Sequence, residues 1–570
     1  MNRIFKTACL TLCFALACAG AACGGKEEDS SHSQSALPSS EERVEPNCRI
    51  YPTEYEGIES LSDISAYAGE VSTNLPTRNG VVYSPYYTMT INGEEVPVYA
   101  ARSANGIHSF AYIDVEVSDK AKDFALNAEV TLLSDSTVLS VKKTSVVVLP
   151  ESSGVSARLE DKKVTSVIKE FGSYSFAFNK KPEEALTVFV TEKEDTQALF
   201  GNYEIEYLQP GDYSSADTKS ATAFTQREKV YYFKAGRYKT DKISLPSDCV
   251  LYLERGAYIE VMPPEGGGSS SAMTAGAGEN VKVAGRGLLD FSACCGGEVP
   301  EGYYNNKGGL IFTQVDNVSF SGITVINSQT WTLCFNDCEG ISVKNCLFFA
   351  YRVYADGIML SDCKNAVVED SFIRTGDDAF ETKSTTAQGL TDNVLFRNNA
   401  AWTDKAVAYG CIYESNHDTR NVRFENCSVG FALGTWSNHL GCCVIQMGNR
   451  KGAVMENISF ENIEVYMSHN DGLLNVYIGG SGGRGEGYGI VKNIYFKNIT
   501  AARNYGAFLN VRTYDSENCF IYDLYLDNIL SNGVLLTEDN YLENGYISDK
   551  VTGGYNMEKY LHINTRTDEE

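Results

Sequence analysis

The sequence predicts an all-β protein in which a β-sandwich precedes a long parallel β-helix. Three observations carry this reading. A theme of alternating apolar and polar residues, closed by Asn or Gly, recurs from residue 317 onward. Short alternating strands separated by turns such as Asn92-Gly93 and Asn105-Gly106 fill residues 48–208. Helical periodicity of any length is absent, which excludes leucine-rich and helical solenoids.

At 570 residues the chain has room for two or three domains and a large core. Its net charge of −26 and pI near 4.7 argue against nucleic acid or an anionic membrane surface as partner, because both select basic patches. The 35 Tyr and 50 Gly suit an extracellular β protein that handles sugars.

Residues 1–22 read as a signal peptide: Arg3 and Lys6, an apolar run from Ala8 to Ala19, then small residues. Gly20-Ala21-Ala22-Cys23 resembles a bacterial lipobox, which implies lipidation at Cys23, export, and anchoring to the outer membrane through lipid alone. Plain secretion is the alternative. Residues 23–47, rich in Ser, Glu and Pro, read as a flexible tether. Of the 17 cysteines, Cys9, Cys13, Cys18 and Cys23 belong to this leader, leaving 13 without metal-type spacing. Cys346, Cys363 and Cys427 follow strand-like segments and are expected to fill the interior as small apolar side chains. Neither the adjacent pairs Cys294-Cys295 and Cys442-Cys443 nor any other group suggests a metal, and no cofactor is expected.

Residues 48–215 are assigned to a β-sandwich of roughly Ig-like size, with strands such as Ser109-Phe-Ala-Tyr-Ile-Asp-Val and Leu186-Thr-Val-Phe-Val. It is expected to be a packing domain without chemistry. Gln209-Pro-Gly-Asp-Tyr-Ser-Ser-Ala-Asp reads as a linker, and residues 225–565 as the β-helix. Within it the theme starts at Val318, Ile341, Val367, Val394, Val422, Ile458 and Ile494, at intervals of 23, 26, 27, 28, 36 and 36 residues. Such a unit buries its apolar face only by stacking on its neighbours, and the lengthening intervals imply longer loops that build a cleft.

The chemistry concentrates in Tyr354–Lys383. Asp356, Asp377 and Asp378 stand beside small residues in an otherwise apolar, strand-like stretch, where an acidic side chain is costly to place. Asp356 and Asp377 are 21 residues apart, about one rung. Neighbouring rungs lie about 4.7–4.9 Å apart, so the carboxylates are expected to form one cluster. Strict alternation would put Asp356 on the face of Ile358 and Leu360, so it is expected at a bend just before the strand. On a regular strand Lys383 shares a face with Asp377, where it would contact substrate or tune the acid; an ordinary surface lysine is the alternative. The competing reading of Asp356 and Asp378 is that they cap turns.

The Asp356-Gly357 and Gly376-Asp377-Asp378 motifs resemble the catalytic region of right-handed parallel β-helix glycoside hydrolases, the pectin-lyase-like solenoids of family 28 (polygalacturonases) and family 49 (dextranases). The resemblance implies an inverting hydrolase of an extracellular polysaccharide, with Asp377 as general acid and Asp356 with Asp378 as the base that positions water. Such enzymes hold acid and base about 6.5–9.5 Å apart. The segments Val230–Tyr238, Val250–Ile259 and Gly285–Asp290 resemble the first rungs of the family 49 helix, and Arg78–Pro85 the sandwich that precedes it. Ile445-Gln-Met-Gly, which stands where polygalacturonases carry an Arg-Ile-Lys grip for the uronate, resembles a dextranase segment instead. A neutral α-glucan of dextran type is therefore the expected substrate.

Tyr354, Trp331, Trp402, Tyr409 and Tyr413 fall on rungs near the cluster, and Tyr354 and Trp402 are taken with Lys383 as substrate-binding candidates. His417, in Glu414-Ser-Asn-His-Asp, lies roughly where polygalacturonases keep a Gly-His-Gly histidine. The glycines are missing here, so binding and surface roles for it stay open. Competing functions are a polygalacturonase-like pectin hydrolase, a polysaccharide lyase and, in a different class, a non-catalytic carbohydrate-binding β-helix. A lyase would want calcium ligands and a basic proton abstractor, and no Arg or Lys cluster offers one.

Overall fold

Through the middle of the long solenoid each turn is made by three strands, each pairing in parallel with the one three places further along; towards its C-terminal end two of the three merge into one long bent strand, and the pairing falls two places along. The computed structural model describes residues 48–564 apart from 61–79, 105, 118–122, 134–144, 180, 215–221, 264–269, 296–306, 329, 353, 387–388, 413, 435–440, 449–451, 471, 480–488, 514–517, 542–545 and 548–559. The expected signal peptide, Cys23 and the tether lie outside the described residues, as does Tyr413.

The rungs stack in the register Val318, Ile341, Ala366, Val394, Val422, Ile458, Ile494, Leu524. Ala366, not Val367, is the partner of Ile341, so the sequence alignment was one residue off on that rung; the small Ala366 side chain is the one turned inward. Phe396, Phe424, Phe460 and Phe496 stack down the core at 4.7, 4.6 and 5.3 Å between ring centroids. Cys346, Cys363 and Cys427 are buried in the same core as free thiols. The turns that end the rungs place Asn426, Asn462 and Asn498 at positive φ, a conformation Asn tolerates. The Nδ2 groups of Asn462 and Asn498 each donate to the amide oxygen of the rung before, at 2.9 Å.

The solenoid starts earlier than the sequence suggests. Glu204–Leu208 and Gly211–Asp212 already pair in parallel with Lys229–Phe233 and Gly236–Thr240, so residues 204–212 belong to the β-helix and not to a sandwich ending at 215. Alternation is too short there to separate the two. Among the described residues the sandwich has an eight-stranded and a five-stranded sheet. In the larger, Gly106–Val117 pairs in parallel with Lys181–Glu192.

The long strand Gly106–Val117 is buried on both faces. One face lines the sandwich core; the other, through Phe110 and Tyr112, packs on Leu347, Phe349 and Phe372 of the solenoid. Ion pairs add to this contact: Asp114 with Arg286 at 2.8 Å, and Arg286 with Glu194 at 2.7 Å.

Candidate active site

The strand Ile358–Ser361 pairs with Phe380–Lys383, so Ile358 faces Phe380 and, two residues back, Asp356 stands beside Asp378. The rung spacing between the motifs is therefore 22 residues, and Asp378 rather than Asp377 is the register partner of Asp356. Asp356 precedes the strand, as the alternation required: Ile358 and Leu360 turn into the core while the aspartate sits on the bend. The motif glycines are demanded by rung contact. A Cβ on Gly357 would lie 2.3 Å from the Ala379 carbonyl oxygen, and one on Gly376 2.3 Å from that of Arg352.

All three aspartates are buried, and each is held differently. Asp377 Oδ2 accepts from the Tyr354 N–H at 2.9 Å and Oδ1 from the Asp378 N–H at 3.1 Å. Its carbonyl accepts from the hydroxyls of Thr375 at 2.6 Å and Thr403 at 3.0 Å. Asp378 Oδ1 accepts from the Val407 N–H at 2.8 Å. Asp356 Oδ2 lies 3.6 Å from the Lys383 ammonium. Tyr354 delivers its N–H from φ +70°, a backbone state costly for a bulky residue and here used to hold Asp377.

A fourth carboxylate completes the cluster. Glu381 is fully buried and shares its outward face with Lys383. Asp356, Asp378 and Glu381 each bring an oxygen within 4.8 Å of the others, close enough to ligate a cation. Within the chain the Lys383 ammonium fills that electrostatic role, 3.3 Å from Glu381 and 3.2 Å from Glu414. The sequence signal for Glu381 is an acid between Phe380 and Thr382 in a buried strand.

The electrostatics follow from burial and crowding. Burial first, then the charges of Asp356 and Asp378, push the Asp377 carboxyl well above the usual carboxylate range. Burial and Asp356 raise Asp378 to about 7, against the pull of Lys383. Asp356 is raised by burial, with Lys383 holding it back. For Lys383, burial alone would favour the neutral amine, but Glu381, Asp356, Glu414 and Asp378 outweigh it and keep the ammonium well above its ordinary range.

Among the aromatic candidates the structure reverses two choices. Trp402 is 1% exposed and binds no substrate: its ring packs under the sandwich against His108 and Phe372, because the second domain covers that face of the solenoid. Trp331 is 43% exposed and stands over the cluster, with the Lys383 ammonium 5.9 Å from its ring centre. Tyr354 is also exposed, as a substrate contact requires. Tyr409 stacks in the core on Phe380. His417 is half-buried one rung beyond Lys383, its N–H donating to the Ser384 carbonyl at 3.1 Å. Elsewhere, a hollow of about 740 Å³ opens beside Asn365, Asn421, Arg423 and Lys497 on another face of the solenoid, away from the aspartates.

Residues 280–528, which contain the cluster, match the family described as Glycosyl hydrolases family 28. The chain is 25% identical over 199 residues to exopolygalacturonase clone GBGE184 of Arabidopsis thaliana, covering 33% of this chain and 43% of that one. It is 24% identical over 237 residues to probable exopolygalacturonase B of Neosartorya fischeri, covering 39% and 43%. The chain thus spans less than half the length of these curated relatives. Among solved structures, Dex49A from Penicillium minioluteum superposes with a TM-score of 0.58 at 13% identity, over 91% of this chain and 100% of that one, a likeness of fold across both domains.

Proposed function

We propose, from a parallel β-helix whose residues 280–528 match the family 28 glycosyl hydrolases, that this protein hydrolyses glycosidic bonds of an extracellular polysaccharide with inversion. The observation that carries it is the buried cluster in which burial and neighbouring charge favour the neutral form of Asp377 while Lys383 sits against Asp356. Asp377 gives its proton to the glycosidic oxygen as the bond to the anomeric carbon breaks. Asp356 and Asp378 take a proton from the water that attacks from the opposite side. No cofactor or metal enters this scheme.

A neutral α-glucan of dextran type suits the site better than a polyuronate. The only ammonium in the cluster is already shared by Asp356, Glu381 and Glu414 among the described residues, and Gly441–Met447 contributes no basic side chain. A uronate placed there would meet uncompensated negative charge. The polygalacturonase-like reading is favoured by the names of the sequence relatives. Reducing-end release from dextran, other α-glucans and polygalacturonate decides between them: cleavage of polygalacturonate alone rejects the neutral substrate.

The pH profile has a predictable sign. The base must be ionised, so kcat/KM falls as pH drops through the value of the Asp356–Asp378 pair, near the 7 to which Asp378 is raised. The acid must be protonated, so the rate falls again as pH rises through the raised Asp377 value. Lys383→Met removes the charge that favours the ionised base and should move the low-pH limb up by about one unit or more. A limb that stays in place in a folded variant refutes the pairing.

Trp331 offers its exposed face to a sugar ring. Trp331→Ala should raise KM about 5- to 10-fold with little change in kcat, the loss of one aromatic contact of about 1–1.5 kcal/mol. An unchanged KM removes Trp331 from the subsite.

We also infer that the chain is exported and anchored by lipid at Cys23, on the strength of Gly20-Ala21-Ala22-Cys23 and the polar stretch after it. Cys23→Ala should release the protein from membranes; full retention in the membrane fraction refutes the anchor.

A further inference from the structure

The acid–base scheme leaves Glu381 without a task, although it is the most deeply buried member of the cluster, at 0% exposure. Neither of its oxygens accepts a hydrogen bond from an N–H or O–H of the described residues. Among the described residues the cation that approaches it is the Lys383 ammonium, 3.3 Å from Oε1, and that charge is divided with Asp356 and Glu414. An ionised Glu381 would be desolvated, poorly compensated and crowded by two other acids. A neutral Glu381 carries an O–H beside the Asp356 and Asp378 oxygens, all within 4.8 Å of one another.

We propose that Glu381 acts as a neutral acid whose O–H donates to Asp356, keeping Asp356 ionised and turned toward the water it positions. Glu381 is then a positioning residue, and the assignment rests on the hydrolase reading above. Every charged or titratable neighbour in the described residues fits it. Lys383 shares its strand, Asp378 sits on the turn before it, Asp356 precedes the paired strand, and Glu414 lies after Tyr409–Cys411. The buried Cys334 thiol, on the strand beyond Ile358–Ser361, is pushed well up by burial and stays neutral. Burial, then Asp356 and Asp378, likewise hold the Glu381 carboxyl well above its usual range against the pull of Lys383. The arrangement separates two demands that conflict in a crowded site. Negative charge nearby keeps the proton on Asp377, while a hydrogen bond stabilises the charge on Asp356 alone.

The test uses the full chain and two variants. E381L fills the space and cannot donate; it should lose about 10- to 100-fold in kcat with KM nearly unchanged, and its low-pH limb should move up. E381Q carries an N–H donor in the same place and should recover most of that loss, with the limb back at its wild-type position. Infrared difference spectra of wild type against E381Q at neutral pH should show the carbonyl stretch of a neutral carboxyl group. Loss of carboxylate bands instead, or an E381Q enzyme as slow as E381L, overturns the proposal, as does an E381L enzyme with wild-type rate and pH profile. If no glycan is cut by the wild-type protein the hydrolase reading fails, while the infrared bands still decide whether Glu381 is neutral.

Discussion

Asp377→Asn is expected to lower turnover on the natural polysaccharide by about 10²–10⁴-fold or more while the protein stays folded and binds substrate. The substitution keeps size and one amide oxygen to accept from the N–H of Tyr354 or Asp378, so local structure should survive. What it removes is the proton. A substrate with an activated leaving group needs little protonation and should rescue Asp377→Asn, but not Asp356→Asn or Asp378→Asn. Those two should be comparably slow on every substrate, because water activation and acid assistance act as one unit whose losses are not additive. Proton NMR of fresh product should show the anomer opposite to that of the substrate. Retention of configuration, or near-normal turnover of Asp377→Asn on the natural substrate, refutes the assignment.

The second large effect is on stability and comes from the contact between the domains. Arg374 and Asp404 are both fully buried and pair at 3.0 Å, three residues before Asp377 and next to Thr403. Arg374 also donates to the Glu183 carbonyl at 2.8 Å and to His108 Nδ1 at 2.9 Å, both in the sandwich. Because an arginine only donates, Nδ1 is the acceptor, and the imidazole is neutral with its proton on Nε2, 2.7 Å from the Thr187 hydroxyl. Burial and the Arg374 charge hold that imidazole well below its usual range.

Asp404→Asn leaves the guanidinium charge without its counter-ion and should cost about 3–5 kcal/mol, read as a drop in the thermal or urea midpoint. The double variant Arg374→Met/Asp404→Leu, which removes both charges, should be the more stable of the two. An Asp404→Asn protein with the wild-type midpoint refutes the account. Since the Asp404 N–H donates to the Thr375 carbonyl at 2.8 Å, loosening this pair reaches the turn that carries Asp377. The sandwich, expected to be a packing domain without chemistry, thus buttresses the turn that carries Asp377.

The local grammar of the chain was legible before any coordinates. Alternation and Asn turns announced stacked rungs, and Asp356, Asp377 and Asp378 announced themselves by being acidic in an apolar stretch. The glycines beside them are explained by a carbonyl oxygen 2.3 Å from where a Cβ would stand. Less legible was the register: a spacing of 21 residues pointed to Asp377 as the partner of Asp356, and pairing through Ile358 and Phe380 makes it Asp378. Bends at each rung corner absorb a residue without changing the alternation on either side, so the sequence pattern is blind to that shift.

What the amino-acid sequence determined by itself was the architecture and the identity of the clustered aspartates, because alternation, turn residues and misplaced acids are properties of a chain read against its nearest neighbours. Only the tertiary structure decided which of them share a charge, and which aromatic ring is exposed beside them. Trp402 and Trp331 are alike as residues, yet one lies beneath a domain whose His108 is 266 positions from its solenoid partner Arg374. Glu381 is an unremarked acid in sequence and a desolvated one in space, with Asp356 from the neighbouring rung beside it. Burial by a distant segment and charge shared across rungs are long-range quantities, and they set proton affinity and access.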